Sequence, residues 1–424
     1  MTAGVPSRSL RRIVHAAAAA LAGGALFATP AAARVTLVDG QLPLVQLAGT
    51  PYELGRQHGE ALRPQVRRSV DRVLGYLRGY VKVPLIGPLA VNWWLDQPWR
   101  ASQPYVPPAY LEELRGLADG SGVPLRALYR LHAVSDRTAT CANLAAWGRA
   151  TSGGRLIHLR NLDWMIGAGM QDFATVFVVR PAGKRAFINI GWAGFMGVLT
   201  GINDAGLSIG QVGADTVDAT FRGEPMAFLM RRVLEEAGSV DDAAALIASA
   251  RRTVGVNYVI ADAKAGRAVA METTARRARI FEANDPAEQG IAYARPIEDA
   301  VFRADTAIDP VIRGRQRASG GDPARPGLEA PSGSAYETRY LGQAAGLQGR
   351  YGALDAAAAQ AIARAIAPDS NVQSVVFAWP DLWVANARGR TPAARTPYHH
   401  LDLSRLLEKH GDGAIFPVGM TKEK

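Results

Sequence analysis

The spacing of apolar residues divides the chain into a helical part, a strand-rich part and a mixed end. Residues 34–140 are predicted to be mainly helical, because Val66, Val70 and Val73 repeat at helical intervals on one face. From 141 to about 283 the pattern changes to short β-rich runs bounded by Gly, Asn or Pro, which predict strands. The two halves of the chain therefore have different secondary structure.

Helices return after the first group of strands. The segments PMAFLMRRVLEEA and SVDDAAALIASARR predict two helices, and Ser239 is a suitable N-cap for the second. Residues 284–335 are rich in Pro, Gly and charge and are interpreted as irregular. A helix at DAAAAQAIARAIA and strands at VQSVVFAWP and DLWVANA close the pattern. Hairpin-like strand pairs with grouped helices predict a layered α+β protein.

The first 33 residues have the pattern of a secretory signal peptide. Arg8, Arg11 and Arg12 precede a small apolar run, and Ala31 and Ala33 fit an A-x-A cleavage site. We therefore expect a periplasmic or secreted protein that begins near Arg34 after processing. The choice between general and twin-arginine export stays open. No later stretch has the length of apolar sequence that a membrane span needs, so stable membrane insertion is not expected.

Composition and charge favour an ordinary globular enzyme. The 424 residues are 48% hydrophobic, and the formal net charge of +10 includes three arginines of the predicted signal. The basic residues are scattered, so no nucleic-acid partner is predicted. The sequence has no His-x-x-His or Glu-x-x-His pair, and neither a metal nor another cofactor is expected. It gives no indication of the oligomeric state.

Cys141 is the one cysteine of the chain. A single thiol cannot form an internal disulfide, and in an oxidising compartment it is exposed to oxidation. Free cysteine also packs as a small buried hydrophobe, so the count alone leaves a structural and a reactive role equally open.

The residues around Cys141 favour a reactive role. A turn at Gly153-Gly154 would join two strands into a hairpin and bring Arg160 and Asp163 close to the thiol. We expect the thiol at the end of a strand, facing an open cleft. A guanidinium lowers the pKa of a thiol, and a carboxylate can orient the attacking group. The alternative for the arginine and the aspartate is an ordinary ion pair at the end of a hairpin.

Two kinds of base could activate this thiol. A papain-like site needs a histidine, and the candidates are His132, His158, His399 and His400, although no CGSCW-like setting surrounds Cys141. Cleavage before the cysteine would instead free an α-amino group, whose reference pKa is about 8. That amine could accept the thiol proton at neutral pH.

Six motifs follow one another along the chain: GTPYELGRQHGEAL, YLEELRGLADGSGVPLRALYRLHAV, CANLAAWGRATSGGRLIHLRNLDW, GVLTGINDAGLSI, VNYVIADAKAGRAVAMETT and QSVVFAWPDLWVANA…YHHLDL. In this order they resemble the isopenicillin N acyltransferase family (acyl-CoA:6-aminopenicillanic acid acyltransferase-like). Members of that family are autoproteolytic cysteine enzymes of the N-terminal-nucleophile (Ntn) hydrolases. More distantly, the chain looks like choloylglycine hydrolase, penicillin V acylase and acid ceramidase.

The resemblance implies an αββα sandwich of two antiparallel sheets between helix layers. It divides the chain into a signal (1–33), a helical pro-region (34–140) and a catalytic chain (141–424). Cys141 would be the nucleophile, freed by autocleavage after Thr140. Arg160 and Asp163 match the Arg-x-x-Asp pair that supports it.

Other site residues are implied less directly. Asn257 matches an asparagine that donates to the oxyanion, and Arg339 is the best match for a later arginine. Asn203 is a lesser candidate that could serve a turn instead. The chain departs from the family at Ala142, where relatives often have Ser or Thr, and at Leu159, where Gly is common.

The implied function is that of an exported amidohydrolase or acyltransferase. It would act on linear amide or thioester bonds of a small-molecule substrate through an acyl-enzyme. Two alternatives remain: a non-enzymatic exported binding protein on the same fold, and a papain-like protease with a histidine base. The acyl group, the amine, and the balance between hydrolysis and transfer are not specified by the sequence.

Overall fold

The computed structural model describes residues 33–79, 86–134, 140–316, 335–386 and 389–408. The predicted signal peptide, except its last residue, lies outside these ranges. Within them no helix is both long and apolar enough to cross a membrane.

The strands form two sheets. Their bounds are β1 Arg34–Val38, β2 Leu42–Gly49, β3 Thr140–Gly148, β4 Gly154–Asp163, β5 Ala174–Pro181, β6 Phe187–Trp192, β7 Thr200–Asn203, β8 Leu207–Gly213, β9 Val256–Asp262, β10 Arg267–Thr273, β11 Ala278–Phe281, β12 Ala300–Arg303, β13 Asn371–Ala378, β14 Asp381–Asn386 and β15 Tyr398–Asp402. The nine-stranded sheet has the order β1-β2-β5-β6-β7-β8-β9-β10-β11, and the six-stranded sheet has the order β12-β3-β4-β13-β14-β15. All neighbours pair antiparallel except β2 and β5, which are parallel.

The helices precede, interrupt and follow these strands. The α-helices are α1 Pro51–Ala61, α2 Arg63–Arg78, α3 Ile86–Ser102, α4 Pro108–Ser121, α5 Leu125–Ala133, α6 Met226–Glu236, α7 Val240–Ser249, α8 Pro286–Gln289, α9 Pro310–Arg313, α10 Leu341–Gln348, α11 Ala356–Ile366 and α12 Leu403–Leu407. A π-helical turn spans Ala335–Tyr340, and short 3-10 turns lie at Gln103–Tyr105, Ile166–Ala168, Met170–Phe173 and Ala393–Arg395.

Helix boundaries follow local sequence signals. Thr50 and Glu53 form a capping box at the start of α1. Gly122 ends α4 in the left-handed conformation, with φ of 69°. The predicted N-cap of α7 is confirmed, since the Ser239 side chain accepts a hydrogen bond from the backbone N–H of Asp242.

Strand alternation builds separate apolar cores on the two faces of the larger sheet. On β5, Phe177 and Val179 pack with the helices before residue 141 and with α6 and α7. The intervening Val176 and Val178 pack between the sheets against residues of β13, β14 and β15. The larger sheet is therefore covered by helices on one side and by the second sheet on the other.

The smaller sheet uses the same alternation. On β3, Ala142, Leu144 and Ala146 pack with residues of α10 and α11, while Ala145 packs against the larger sheet. The layer order is thus helices, sheet, sheet, helices, and the expected αββα α+β fold is confirmed.

Two stretches differ from the expectation. Residues 34–38 and 42–49 are strands rather than helix, and β2 extends the larger sheet beside β5. A short apolar run such as LPLVQLAG does not by its periodicity reveal which element it forms. Within the region expected to be irregular, β12 pairs with β3. Four residues are too few for a periodic signal, and the pairing partner lies far away in sequence.

A buried ionic cluster joins the residues before and after position 141. The Arg231 guanidinium on α6 donates to both carboxylate oxygens of Glu113 on α4, at 2.8 and 2.6 Å. It also donates to Glu235, which accepts from the Tyr110 hydroxyl. Side chains of Arg231 and Glu113 are 2% and 3% exposed. This cluster and the β2–β5 pairing hold the two segments in one fold.

Replacing Arg231 by Met should lower the free energy of unfolding by about 3–5 kcal/mol, because it leaves buried carboxylates without their cation. Denaturant unfolding measures this loss. The double variant Glu113→Gln/Arg231→Met should recover part of it, since one of the unpaired charges is then absent. A loss below about 1 kcal/mol, typical of an exposed ion pair, would contradict the prediction.

Candidate active site

Cys141 is the second residue of β3, in a hairpin with β4. Its turn uses Gly153 and Gly154, with φ of 72° and 73°, a conformation that glycine adopts without strain. The register pairs Cys141 with Leu162 and Asn143 with Arg160. The hairpin predicted from the sequence is present, and alternation places the thiol and Arg160 on the face towards the larger sheet.

Arg160 reaches the thiol directly. Its Nη2 lies 3.3 Å from Cys141 Sγ and 3.0 Å from the Gln211 carbonyl oxygen on β8. Space for this side chain depends on Gly210, where an added Cβ would lie 2.9 Å from Arg160 Cγ. The guanidinium is fully buried, and its Nε and Nη1 have no hydrogen-bond partner among the described residues. An unpaired buried cation of this kind favours a negative charge beside it.

The thiol itself is fully buried rather than open to a cleft, so the expected exposure is wrong for the continuous chain. Burial raises the pKa of Cys141 to about 12, and Arg160 acts in the opposite direction by favouring the thiolate. Nearby carboxylates of Asp163 and Asp305 add to the increase. The expected effect of the arginine is present, but desolvation outweighs it.

Asp163 and Arg339 form the next part of the site. Arg339 Nε lies 3.1 Å from Asp163 Oδ2, and Asn371 Nδ2 donates to Oδ1 at 3.0 Å. Within the described ranges Oδ2 has no well-aligned hydrogen bond, so its contact with Arg339 is an ion pair. Burial raises the pKa of Asp163 to about 6, while Arg339 and Asn371 favour its charged form. Arg339 belongs to a π-helical turn, not to the loop-like setting that its sequence suggested.

Asp305 is a site residue that sequence reasoning missed. Its Oδ1 accepts a hydrogen bond from the Cys141 backbone N–H at 2.9 Å. Its Oδ2 is ion-paired with Arg339. Burial raises the pKa of Asp305 to about 7, opposed mainly by the Arg339 charge. It lies just after β12, in the stretch interpreted as irregular, where no periodic pattern marked it.

Asn257 lies on β9, and its amide is already engaged. Nδ2 donates to the Ala304 carbonyl at 2.9 Å, while Oδ1 is buried and has no hydrogen-bond partner in the part of the chain that the structure describes. Gln211 Nε2 lies 3.9 Å from Cys141 Sγ and is a second amide near the thiol, which the sequence analysis did not select. In the sequence, Gln211 could have been found as the polar side chain that interrupts the apolar run of the predicted strand GLSIGQVG.

Asn203 lies elsewhere and serves a turn. Its Oδ1 accepts from the N–H groups of Ala205 and Leu207, and its Nδ2 donates to the carbonyls of Leu234 and Ala237. All of its hydrogen-bonding capacity is used locally, so we exclude it from the candidate site.

The four candidate histidines are held by other partners. His132 Nε2 accepts from the Met196 N–H, and His158 binds Ser208 and Asn143. His399 and His400 contact Asp39 and Asp381 respectively. Among the described residues, the side chains that hydrogen-bond to Cys141 Sγ are Arg160 and Gln211. The geometry thus gives no support to a papain-like pair.

Across the ranges that the structure describes, no group of three or more His, Cys, Asp or Glu side chains could hold a metal ion. The cluster around Cys141 instead combines a nucleophile, two arginines, two carboxyl groups with raised pKa and amide donors. Such a set can stabilise a thiolate, hold a proton near neutral pH and donate to an oxyanion.

The sequence of this chain is similar to one family model and to several known proteins. The profile of the family described as acyl-coenzyme A:6-aminopenicillanic acid acyl-transferase matches residues 149–292. Protein dcd1B of Dictyostelium discoideum is 27% identical over 291 residues, which are 64% of this chain and 58% of that protein. The N-acylethanolamine-hydrolyzing acid amidase of Cavia porcellus is 23% identical over 213 residues, 48% of this chain and 56% of the relative.

Among solved structures, the chain is similar to a Caenorhabditis elegans N-acylethanolamine-hydrolyzing acid amidase ortholog. The alignment covers 60% of this chain and 95% of that chain, with a TM-score of 0.41 and 16% sequence identity. The chain spans little more than half the length of the two curated relatives given above. It is related by sequence to acyl-transferring and amide-hydrolysing enzymes. The match to this family model over residues 149–292 agrees with the resemblance that the motifs indicate.

Replacing Arg160 by Met should move alkylation of Cys141 to higher pH by about one unit or more, because the cation that favours the thiolate is lost. Iodoacetamide labelling followed over a pH series measures the shift. Arg155→Met is the matched control, since Arg155 lies on the same strand, is exposed and donates to the Trp379 carbonyl. An unchanged alkylation profile would give Arg160 a purely structural role.

Proposed function

We propose that the protein is an exported, self-cleaving cysteine amidohydrolase or acyltransferase with Cys141 as its nucleophile. The observation that carries the proposal is the buried contact of 3.3 Å between Arg160 Nη2 and Cys141 Sγ, at the beginning of β3. The relationship to acyl-transferring and amide-hydrolysing enzymes supports the same chemistry. Export is inferred from the signal-like pattern of residues 1–33.

Self-cleavage comes first in the proposed sequence of events. The Cys141 thiolate attacks the Thr140 carbonyl carbon, the bond from that carbon to the Cys141 nitrogen breaks, and a thioester forms. Water then hydrolyses the thioester and restores the thiol. The second fragment now begins at Cys141 with a free α-amino group. The ionic cluster of Glu113 and Arg231 and the β2–β5 pairing keep both fragments in one molecule.

The free amine acts as base in turnover. It accepts the thiol proton, the thiolate attacks the substrate carbonyl, and an acyl-enzyme forms. Arg160 stabilises the thiolate. Asn257 is proposed to donate to the oxyanion, a contribution of about 3–4 kcal/mol. In the continuous chain its Nδ2 donates to the Ala304 carbonyl, so this role requires the Asn257 amide to turn away from that carbonyl.

The proposed substrates are linear N-acyl amides or acyl thioesters. The family name specifies an acyl-coenzyme A donor, and the mammalian relative's name specifies an N-acylethanolamine. For this chain we infer the shared feature, a carbonyl flanked by an acyl chain and a nitrogen or sulfur leaving group. Water as acceptor gives hydrolysis, and an amine gives acyl transfer.

The test is to trap the acyl-enzyme. Purified protein is mixed with p-nitroanilides of short, medium and long linear acyl groups, quenched in acid, and analysed by intact mass. The expected result is p-nitroaniline release together with an acyl adduct on the fragment that begins at Cys141. Prior labelling with iodoacetamide should abolish both. Binding of every substrate without release would instead indicate a non-enzymatic binding protein.

A further inference from the structure

The backbone nitrogen of Cys141 donates to a carboxylate instead of to a neighbouring strand. Asp305 Oδ1 accepts this hydrogen bond at 2.9 Å, and Asp305 is 8% exposed. Strand β12 pairs with β3 as far as Arg303 opposite Asn143. Continued by two residues, this antiparallel register would place Asp305 opposite Cys141. The chain leaves the ladder there, and the carboxylate takes the place of a backbone acceptor.

Asp305 is held firmly in this position. Arg339 forms an ion pair with its Oδ2. Gln316 Nε2 donates to the Asp305 carbonyl at 2.7 Å, and Gln316 Oε1 accepts from the Ala307 N–H at 2.8 Å. These contacts fix the loop that follows β12, and so they fix the carboxyl group on the Cys141 nitrogen.

We propose that Asp305 is a catalytic residue of self-cleavage, whose carboxyl group protonates the Cys141 nitrogen as its bond to Thr140 breaks and whose carboxylate then holds the new α-amino group. The inference rests on the proposed function, because this nitrogen is a leaving group in self-cleavage and in no other step. It assigns a role to a residue that the family motifs did not indicate.

The step balances without another reactant. The Cys141 Sγ–carbon bond forms and the carbon–nitrogen bond breaks. The nitrogen leaves with the electron pair of that bond and takes the proton of the Asp305 carboxyl group. That proton is the one the thiol gave up, so Asp305 ends as a carboxylate and the product is the thioester isomer of the original chain. Hydrolysis of that thioester consumes one water.

The surroundings of Asp305 allow it to hold a proton near neutral pH. The titratable and charged groups around it are Arg339, Asp163 on β4 and the Cys141 thiol on β3, which Arg160 contacts. Glu272 on β10 binds the backbone of the same loop at Ile308 and Asp309. Burial raises the pKa of Asp305 to about 7 despite Arg339.

This arrangement gives self-cleavage a distinctive pH dependence. The reactive form has a thiolate and a protonated Asp305, that is, one proton between two groups. Its fraction rises with pH up to the pKa of the carboxyl group and then stays level until the thiol ionises near its own, much higher pKa. Without the carboxyl group, the rate follows the thiolate alone and continues to rise in alkali.

The experiment follows freshly synthesised full-length chain by intact mass over a series from about pH 5 to pH 9. Wild type should level off near pH 7. Asp305→Asn keeps a hydrogen-bond acceptor but cannot donate a carboxyl proton; it should cleave about a hundredfold more slowly at neutral pH and accelerate steadily in alkali. Asp309→Asn is the matched control in the same loop, where Asp309 caps α9 by accepting from the Ile312 N–H, and should cleave at the wild-type rate.

The outcomes separate this inference from the proposed function. If wild type splits at Cys141 and Asp305→Asn splits equally fast with the same pH profile, the role of Asp305 is wrong and self-cleavage stands. If Asp305→Asn does not fold, the wild-type profile decides, since a rate that rises steadily to pH 9 excludes the carboxyl proton. If wild type never splits, both proposals fail.

Discussion

Cys141→Ala is expected to remain a single chain under conditions in which wild type separates into two fragments. The thiol supplies the attacking atom, and the side chains that hydrogen-bond to it within the described residues, Arg160 and Gln211, are not nucleophiles. Intact mass and N-terminal sequencing measure the result, with the second wild-type fragment beginning at Cys141. The effect should be complete, because the variant lacks the chemistry and not merely a stabilising contact.

Cys141→Ser provides the matched control for this experiment. It keeps the size of the side chain and a weaker nucleophile, so slow cleavage at the same bond is expected. Thermal unfolding of all three proteins shows whether the buried site tolerates the changes. Equal splitting of Cys141→Ala and wild type would show that an outside protease cuts the chain, and self-cleavage would then be excluded.

The layered fold was predictable because its strands and helices carry strong local periodicity. The β3–β4 hairpin followed from two glycines between apolar runs, and the positions of Arg160 and Asp163 followed from the hairpin. Strands β1, β2 and β12 were not predictable in this way. Each is short or ambiguous in pattern. β2 and β12 pair with strands far away in the chain, and β1 joins the sheet through β2.

The candidate site was predictable where its residues lie near Cys141 in sequence or on a family motif. Asp305 and Gln211 were missed because their relation to the thiol arises from register: Asp305 through β12 against β3, and Gln211 through β8 facing β3. The thiol pKa was misjudged for a related reason. Sequence reveals a neighbouring arginine, but the cost of burial depends on how the two sheets close over the site.

Asn257→Ala should reduce turnover by the processed enzyme about a hundredfold or more, with a much smaller change in KM. An oxyanion donor acts on charge that develops in the transition state, so its loss affects kcat rather than substrate binding. Steady-state kinetics with the p-nitroanilide that reacts best would measure both constants, normalised to the amount of fragment that begins at Cys141.

Asn203→Ala is the control that separates chemistry from packing. Both asparagines are fully buried, and both make side-chain hydrogen bonds to backbone carbonyls. Asn203→Ala loses a larger set of turn contacts and should therefore be the less stable variant, yet it should retain wild-type turnover per processed molecule. If Asn257→Ala also retains it, the oxyanion donor is another group, and Gln211, with its Nε2 3.9 Å from the thiol sulfur, becomes the first candidate.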